Sequence, residues 1–259
     1  MSEIMDAYWA MPPLSRALAT AILVTSLSTH IFGILPYGWL YFHWTTIWQV
    51  PPQIWRLVTA FLVSTPKLGI VMDPYFVYQY LGQLERGNPK FARKEDVLWY
   101  LMTVCSMILA ASSYFQEFEP FYISGLTMAL CYTATQDQRG MKAGFFFFTV
   151  PAQLVPYCML LFTMLQNPKG LPVMIIALLC AHLHDFLYRL WPEFGGGRNL
   201  LATPSFMSRL VQTPRIQQRD YGTAVRNNAA GSTGRTTGAD TGSVLPDSWR
   251  TRGSGHRLG

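Results

Sequence analysis

The sequence carries little charge for its length. Of its 259 residues, only 13% are Asp, Glu, Lys or Arg and 50% are hydrophobic, whereas soluble domains average roughly 25% charged residues. The hydrophobic residues fall into blocks that end near Pro192, and beyond it the chain is rich in Gly, Ser, Thr, Asn and Arg. This composition excludes an ordinary soluble domain. It predicts a membrane domain over residues 1–191 and a largely disordered tail over residues 192–259.

Cysteine is also scarce, with four residues that all lie inside apolar blocks: Cys105, Cys131, Cys158 and Cys180. A secreted disulfide framework would place its cysteines in loops, so we expect small buried thiols instead. The sequence has no CxxC motif or Cys/His cluster, which predicts no metal site and no cofactor. The first stretch, MSEIMDAYWAMPPLSR, lacks a basic region followed by a cleavable core, so we expect the first apolar block to be a retained anchor.

Six apolar blocks are candidates for membrane-spanning helices, which need about 20 residues each. They cover roughly residues 17–35, 69–84, 97–115, 121–134, 144–165 and 171–191. Ser15 is available as a cap for the first helix, and Pro151 and Pro156 are expected to kink the fifth. The fourth block supplies only ~21 Å of helix, against a hydrocarbon core ~30 Å thick. Either it is no span, or it begins inside the protein beneath a shielded loop.

The basic residues predict the orientation of these spans. Lys and Arg are concentrated after the second and fourth blocks and in the tail, whereas the other side has Arg56, Lys67 and Lys169. The positive-inside rule then places both termini in the cytosol. The formal net charge of +6 comes from these flanking residues, and no RNA- or DNA-binding motif accompanies it. We therefore predict no nucleic-acid partner.

The connection between the first two blocks, residues 36–66, is long and aromatic. It includes Trp39, Trp44, Trp48 and Trp55, and Arg56 follows the last of them. Because indoles favour the membrane interface, we predict an amphipathic element lying partly in the outer leaflet. Either these residues form a simple aromatic belt, or Trp55 and Arg56 form an anchor whose guanidinium is held against carbonyl groups or an aromatic ring.

The run QIWRLVTAF, followed by a second block that ends in QLERG, resembles the Derlin family of rhomboid pseudoproteases. Trp55 and Arg56 match a hallmark of that family, and the similarity extends from MPPLSR to about LLATPSF. Within the family, the chain looks similar to fungal members with a long cytosolic tail. The resemblance implies an all-α, polytopic membrane protein with a six-helix rhomboid-like fold and a disordered cytosolic C-terminal tail.

The stretch FYISGLTMAL, residues 121–130, contains the remnant of a protease motif. Rhomboid proteases begin the fourth helix with Gly-x-Ser-Gly; here Ser124 and Gly125 match, but Tyr122 replaces the first glycine. His182 matches the place of the catalytic histidine, so Ser124 and His182 are vestigial candidates for nucleophile and base. Because Tyr122 interferes with an oxyanion site whose single donors contribute about 3–4 kcal/mol, we expect no catalytic residues and no enzyme activity. The alternative is an active intramembrane serine protease that uses this dyad.

The sixth block carries further candidates. Ala177 and Ala181 are four residues apart and form one small face, at about the place where Derlins carry Gly-x-x-x-Gly. His184 and Asp185 are ionisable, and such groups inside a membrane usually face an interior or a hydrated cavity. Asp185 therefore forms either a local ion pair with Arg189, on the same helical face, or part of a polar groove with both histidines.

The chain ends in SWRTRGSGHRLG, in which Gly253, Gly255 and Leu258 match the core of the SHP box. This short motif recruits the ubiquitin-selective AAA ATPase, valosin-containing protein, to fungal and animal Derlins. The glycines allow an extended peptide to approach a partner closely, and Leu258 would fill a pocket. Arg252 stands where a large apolar residue is usual, which departs from the motif.

The resemblance implies a non-catalytic protein of the endoplasmic-reticulum (ER) membrane that helps to retrotranslocate misfolded proteins for degradation. The expected partners are the AAA ATPase, misfolded proteins, an ER membrane ubiquitin ligase complex, lipids and further copies or relatives in an oligomer. Short spans and the interfacial loop are expected to thin the bilayer, because lipid deformation relieves hydrophobic mismatch. A small-solute transporter is the remaining alternative; it predicts an internal repeat with broken helices, which this sequence lacks.

Overall fold

The computed structural model describes residues 2–47, 52–86, 90–91, 93–115, 121–138, 140–145, 148–194 and 200–207. The chain divides into a unit of Met1–Thr213 and a unit of Pro214–Gly259, and all described residues belong to the first. The predicted ATPase-binding residues Gly253, Gly255 and Leu258 lie outside the described residues.

The described part is predominantly helical. In chain order it contains α1 (Ser2–Trp9), α2 (Pro13–His30), α3 (Tyr37–Leu40), α4 (Trp44–Ile47), α5 (Arg56–Thr59), α6 (Gly69–Glu85), α7 (Lys94–Tyr114), α8 (Ile123–Thr135), β1 (Lys142–Phe145), β2 (Phe148–Pro151), α9 (Val155–Gln166), α10 (Leu171–Asp185) and α11 (Trp191–Phe194). A π-helical turn, Phe186–Leu190, joins α10 to α11. Among the described residues, two helical stretches, Lys94–Tyr114 and Pro168–Phe194, are long and apolar enough to cross a membrane.

Helix α8 is the centre of the bundle. It has only 13 residues, and all of them except Tyr132 are buried, which confirms the prediction of a short fourth helix. It packs against α6, α9 and α10, while α2 packs on α6 and α7 packs on α10. A helix surrounded by other helices needs no polar face, and this explains why the run from Ile123 to Ala134 is apolar or small almost throughout.

The fifth predicted span is wrong in its first half. The segment expected to be helical from Gly144 instead forms the antiparallel hairpin of β1 and β2, and α9 begins only at Val155. Pro151 is the last residue of β2; it favours an extended conformation of Val150 and has no N–H group with which to continue a ladder. Pro156 lies in the first turn of α9, where a helix needs no N–H donor. The two prolines therefore delay the helix rather than kink it.

The N-terminus of α2 is capped from another helix. The backbone N–H groups of Leu14 and Ser15 donate to the carboxylate of Glu85, each at 3.1 Å, and Glu85 is the last residue of α6. Ser15 was the expected cap, but its hydroxyl donates to the Pro12 carbonyl instead. The Glu85 contacts fix the start of α2 to the end of α6.

After α11 the chain returns to α7. The Thr203 hydroxyl donates to Asp96 at 2.6 Å, and the indole N–H of Trp99 donates to the Leu201 carbonyl at 3.1 Å. Met207 is fully buried. The LLATPSF segment is therefore held against the first turns of α7.

Candidate functional site

Ser124 is the second residue of α8 and is 7% exposed. Its hydroxyl has no hydrogen-bond partner among the residues that the structure describes. The side chain borders a cavity of about 20 Å³, whose polar lining also includes Thr65, Asp73, Thr127, Thr163, Gln166 and Asn167. A cavity of this size holds about one water molecule. Its lining offers a carboxylate, hydroxyls and amides, but no histidine.

His182 lies far from this cavity. Its Nδ1 atom is 2.7 Å from the hydroxyl oxygen of Tyr132, which follows Ser124 by eight positions in α8. Eight residues span ~12 Å along a helix, whereas a general base must lie about 2.6–3.2 Å from the proton it removes. The structure therefore does not form the Ser124–His182 dyad that the protease alternative requires. The relative register of α8 and α10 is the physical reason.

The two helices run side by side in the same direction. A Cβ atom added to Gly125 would lie 3.0 Å from Val173 Cγ1 and 3.3 Å from Ala177 Cβ, so the backbones approach closely near the start of α8. Further along, Gln136 donates to Asp185 at 3.0 Å. Ala177 and Ala181 are both fully buried. The close contact at Ala177 supports the packing role predicted for the small face of α10.

Tyr122, the residue before α8, contacts the long loop through both its backbone and its ring. Its N–H donates to the Ala60 carbonyl at 2.9 Å, so this donor is already occupied. The ring packs against Phe42 and Phe61, with centroid distances of 6.0 and 5.8 Å. An aromatic cluster of Tyr122, Phe42 and Phe61 therefore fills the position at which the protease motif has its first glycine.

Arg56 holds the long loop together. It is 6% exposed and donates to the Tyr41 carbonyl at 2.7 Å and to the side-chain oxygen of Gln53. Its guanidinium carbon lies 5.0 Å from the centre of the Tyr41 ring. The carbonyl and ring contacts expected of this residue are thus both present. Trp55 is 49% exposed, and its indole N–H donates to the Trp39 carbonyl at 3.3 Å.

Asp185 belongs to a cluster of ion pairs that joins three parts of the chain. Lys90, from the connection between α6 and α7, lies 3.0 Å from Asp185 and 3.1 Å from Asp137, just beyond α8. Arg189 lies 3.1 Å from Asp137 and 3.7 Å from Asp185. The predicted Asp185–Arg189 pair is therefore present, but the nearer cation is Lys90. We call Lys90, Gln136, Asp137, Asp185 and Arg189 the ion-pair cluster.

The polar groove expected from both histidines and Asp185 needs correction. His184 and Asp185 are 3% and 4% exposed. The His184 ring lies edge-on to Tyr100, at 4.9 Å between centroids, and stacks on Tyr188 at 5.8 Å. Packing between α7 and α10 has closed the space around these two residues. Only His182 of the three is exposed.

Several residues of these contacts were not singled out from the sequence. Lys90 entered only as one of the basic residues after the second block, Glu85 only as part of QLERG, and Gln136 and Asp137 did not enter at all. The available signal was their position at the end of an apolar block, where an unpaired charge is costly. Their partners lie between 46 and 95 positions away in the sequence, so position alone does not identify them.

These features define a polytopic helical membrane protein that keeps a serine at the buried start of its central helix and holds its histidine elsewhere. The Der1-like family model matches residues 11–205, and the chain belongs to that family. Derlin-1 of Homo sapiens is 29% identical over 222 residues, which cover 83% of this chain and 85% of the relative. Derlin-1 of Arabidopsis thaliana is 26% identical over 220 residues, covering 83% and 80%. The predicted Derlin resemblance is confirmed, and closeness to fungal members stays a prediction.

Proposed function

We propose that this chain is a non-catalytic component of ER-associated degradation, which helps misfolded proteins to leave the ER membrane or lumen for degradation in the cytosol. Membership of the Der1-like family supports this role. The observation that carries the non-catalytic part is the separation of Ser124 from His182, which pairs with Tyr132 instead. A rhomboid-like fold without an assembled catalytic dyad contributes to degradation through its shape and its effect on the surrounding lipid.

The lengths of two helices support local thinning of the bilayer. Helices α8 and α9 have 13 and 12 residues, or ~20 and ~18 Å, against a hydrocarbon core of ~30 Å. Helix α8 is shielded by its neighbours, but α9 exposes Tyr157, Leu161 and Leu165. A short helix with an apolar outer face draws the lipid surface inward, because lipid deformation costs less than exposing that face to water.

Polar groups on the outside of the bundle support easier passage of polar segments. His182 is exposed, and the hydroxyl that it contacts belongs to Tyr132, a half-buried residue of α8. Polar groups at membrane depth usually face a hydrated path. We place the polar groove of the proposed mechanism here, beside His182, rather than at the buried His184 and Asp185.

The long loop supplies an interfacial surface. Trp39, Trp44 and Trp55 are 66%, 54% and 49% exposed, and indoles favour the lipid headgroup region. The anchored Arg56 fixes the loop beneath them. This arrangement supports the proposal that the loop lies partly in the outer leaflet of an ER membrane, with both termini of the chain in the cytosol.

We propose that a partner supplies the force that extracts the substrate from the membrane. Gly253, Gly255 and Leu258 are proposed to recruit the ubiquitin-selective AAA ATPase, and an ER membrane ubiquitin ligase complex is proposed to mark the substrate. In a chase of a misfolded ER protein, cells that lack this chain should degrade the protein more slowly, and the wild-type chain should restore the rate. Leu258→Ala should restore it incompletely and lose the ATPase in a pull-down, whereas Leu245→Ala, elsewhere in the tail, should behave as wild type. An unchanged degradation rate without the chain would overturn the proposed role.

A further inference from the structure

The hairpin of β1 and β2 packs against the bundle on one face only. Phe145 is buried, stacks on Phe76 of α6 with 5.9 Å between centroids, and meets Phe162 of α9 edge-on at 6.4 Å. Ala143 and Val150 pack against the same core. Lys142, Gly144 and Thr149, on the opposite face, are exposed. The hairpin is therefore held in place while its outer face is open.

The contacts of Phe145 set the depth of the hairpin. Phe76 precedes Glu85, the last residue of α6, by nine positions, or ~13 Å of helix. Phe162 follows Val155, the first residue of α9, by seven positions, or ~10 Å. Both values place Phe145 well inside the bundle, while Lys142 and Pro151 pair at the base. The hairpin thus extends about 10–13 Å along the bundle from its end, a length equal to roughly a third of a ~30 Å hydrocarbon core.

The outer edges of the hairpin carry unpaired backbone groups. Two residues separate Phe145 from Phe148, so this pair and the Ala143–Val150 pair carry the hydrogen bonds of the hairpin itself. Gly144 and Thr149 form the intervening pair, whose N–H and C=O groups point outward. These groups have no backbone partner elsewhere in the described part of the chain. Hydrocarbon cannot satisfy them, which is why open sheet edges do not persist in lipid.

We propose that the β1 edge, Lys142–Phe145, is a docking site for an extended segment of a misfolded polypeptide, which adds a third strand there. On the β1 edge Lys142 and Gly144 both direct an N–H group outward, whereas the β2 edge lacks one at Pro151, the partner of Lys142. A Cβ added at Gly144 meets no atom within 4 Å. The edge offers only backbone groups, so its partner must present backbone groups in an extended chain. A peptide in transit has the same need for partners within the membrane. This inference rests on the proposed function. It adds that the substrate is held as an extended strand paired with β1.

A disulfide scan tests the pairing. The full-length chain with Gly144→Cys is combined with a misfolded substrate. A tightly folded domain at one end of the substrate halts it in transit. Each substrate variant carries a single cysteine, and the position of that cysteine moves along the substrate one residue at a time. Side chains of a strand alternate between two faces, so disulfide yield should alternate with a period of two, differing by about threefold or more between odd and even positions. Leu179→Cys, on the exposed surface of α10, should give no alternation.

A second pair of variants removes the edge without removing the hairpin. With Lys142→Cys as the reporter, Gly144→Pro removes an outward N–H group and should lower the alternating yield about fivefold or more. Gly144→Ala, which has room for its methyl group, should leave the yield unchanged. A period near 3.6, disulfides between two copies of this chain, or equal yields with Gly144→Pro and Gly144→Ala would each overturn the docking proposal.

The two proposals fail in different ways. Normal restoration of degradation by the wild-type chain, without alternating disulfides, removes the docking site and leaves the role in degradation intact. Alternating disulfides together with no effect of the chain on degradation would instead support the docking site and remove the proposed function.

Discussion

Single side chains hold distant segments of this protein together by binding backbone groups. Arg56 binds a carbonyl 15 positions away, and Glu85 binds two N–H groups at the start of α2, 70 and 71 positions away. The N–H groups at the start of a helix lack partners within it, and a carboxylate there also interacts favourably with the helix dipole. Both residues therefore determine where loops and helices meet rather than taking part in chemistry.

Replacing Arg56 by lysine tests the anchor of the long loop. Lysine keeps the charge but has no planar fork that binds a carbonyl, an amide oxygen and a ring together. We expect Arg56→Lys to lower the free energy of unfolding in detergent by about 1.5–3 kcal/mol. Arg86→Lys, at an exposed position, is the matched control and should change it by less than about 0.5 kcal/mol. Equal effects of the two variants would contradict the anchor.

The cap on α2 is tested by removing its charge. Glu85→Gln retains one oxygen acceptor but loses the second acceptor and the favourable interaction with the helix dipole. The expected loss in the free energy of unfolding is about 1 kcal/mol. The matched control is Glu193→Gln in the exposed α11, for which a denaturant titration should show almost no change. If Glu85→Gln leaves the free energy of unfolding unchanged, the α2 N–H groups find other partners.

At the scale of elements, the contact between α8 and α10 depends on the absence of a side chain at Gly125. The added Cβ atom would lie 3.0 Å from Val173 Cγ1, which leaves room for little more than a hydrogen atom. Larger side chains force packed helices apart, at a cost of typically 1–3 kcal/mol.

Gly125→Leu should therefore lower the free energy of unfolding by about 1–3 kcal/mol or more. Gly38→Leu in α3 is the matched control, because a Cβ added at Gly38 meets no atom within 4 Å. Thermal unfolding in detergent compares the two. Tolerance of leucine at both positions would show that α8 and α10 pack less closely than the structure indicates.

The helices were more predictable than their contacts. Blocks of apolar residues located α6, α7, α8 and α10 to within a few residues, since hydropathy reports burial directly. The hairpin was missed because a run such as GFFFFTV does not distinguish a buried strand from a helix by periodicity. The pairings of Glu85, Lys90 and His182 were missed because they depend on the register between elements far apart in sequence.

At the scale of the whole molecule, the ion-pair cluster joins the connection between α6 and α7, the end of α8 and the end of α10. Lys90 and Asp185 have side chains that are only 6% and 5% exposed. Two cations, Lys90 and Arg189, balance the two carboxylates of Asp137 and Asp185, so the cluster is neutral. Removing one buried partner leaves an uncompensated charge, whereas removing both removes the need for a partner.

A double-mutant cycle separates these cases. Lys90→Met should lower the free energy of unfolding by about 3–5 kcal/mol, and adding Asp185→Leu should recover most of that loss. Lys94→Met, at the exposed start of α7, should have little effect. If the losses from Lys90→Met and Asp185→Leu simply add, the two residues are not coupled and the cluster does not hold the bundle ends together.

If the protein acts through its shape, as we propose, its serine is dispensable. Ser124 carries a buried hydroxyl with no partner in the described part of the chain, and removing such a group does not lower stability. The most direct test expresses Ser124→Ala as the sole copy of the chain, at the wild-type level, and follows the degradation rate of a misfolded ER protein. We predict that the Ser124→Ala chain supports the wild-type rate. A fall to the rate of cells that lack the chain would contradict it and would restore Ser124 as a catalytic residue.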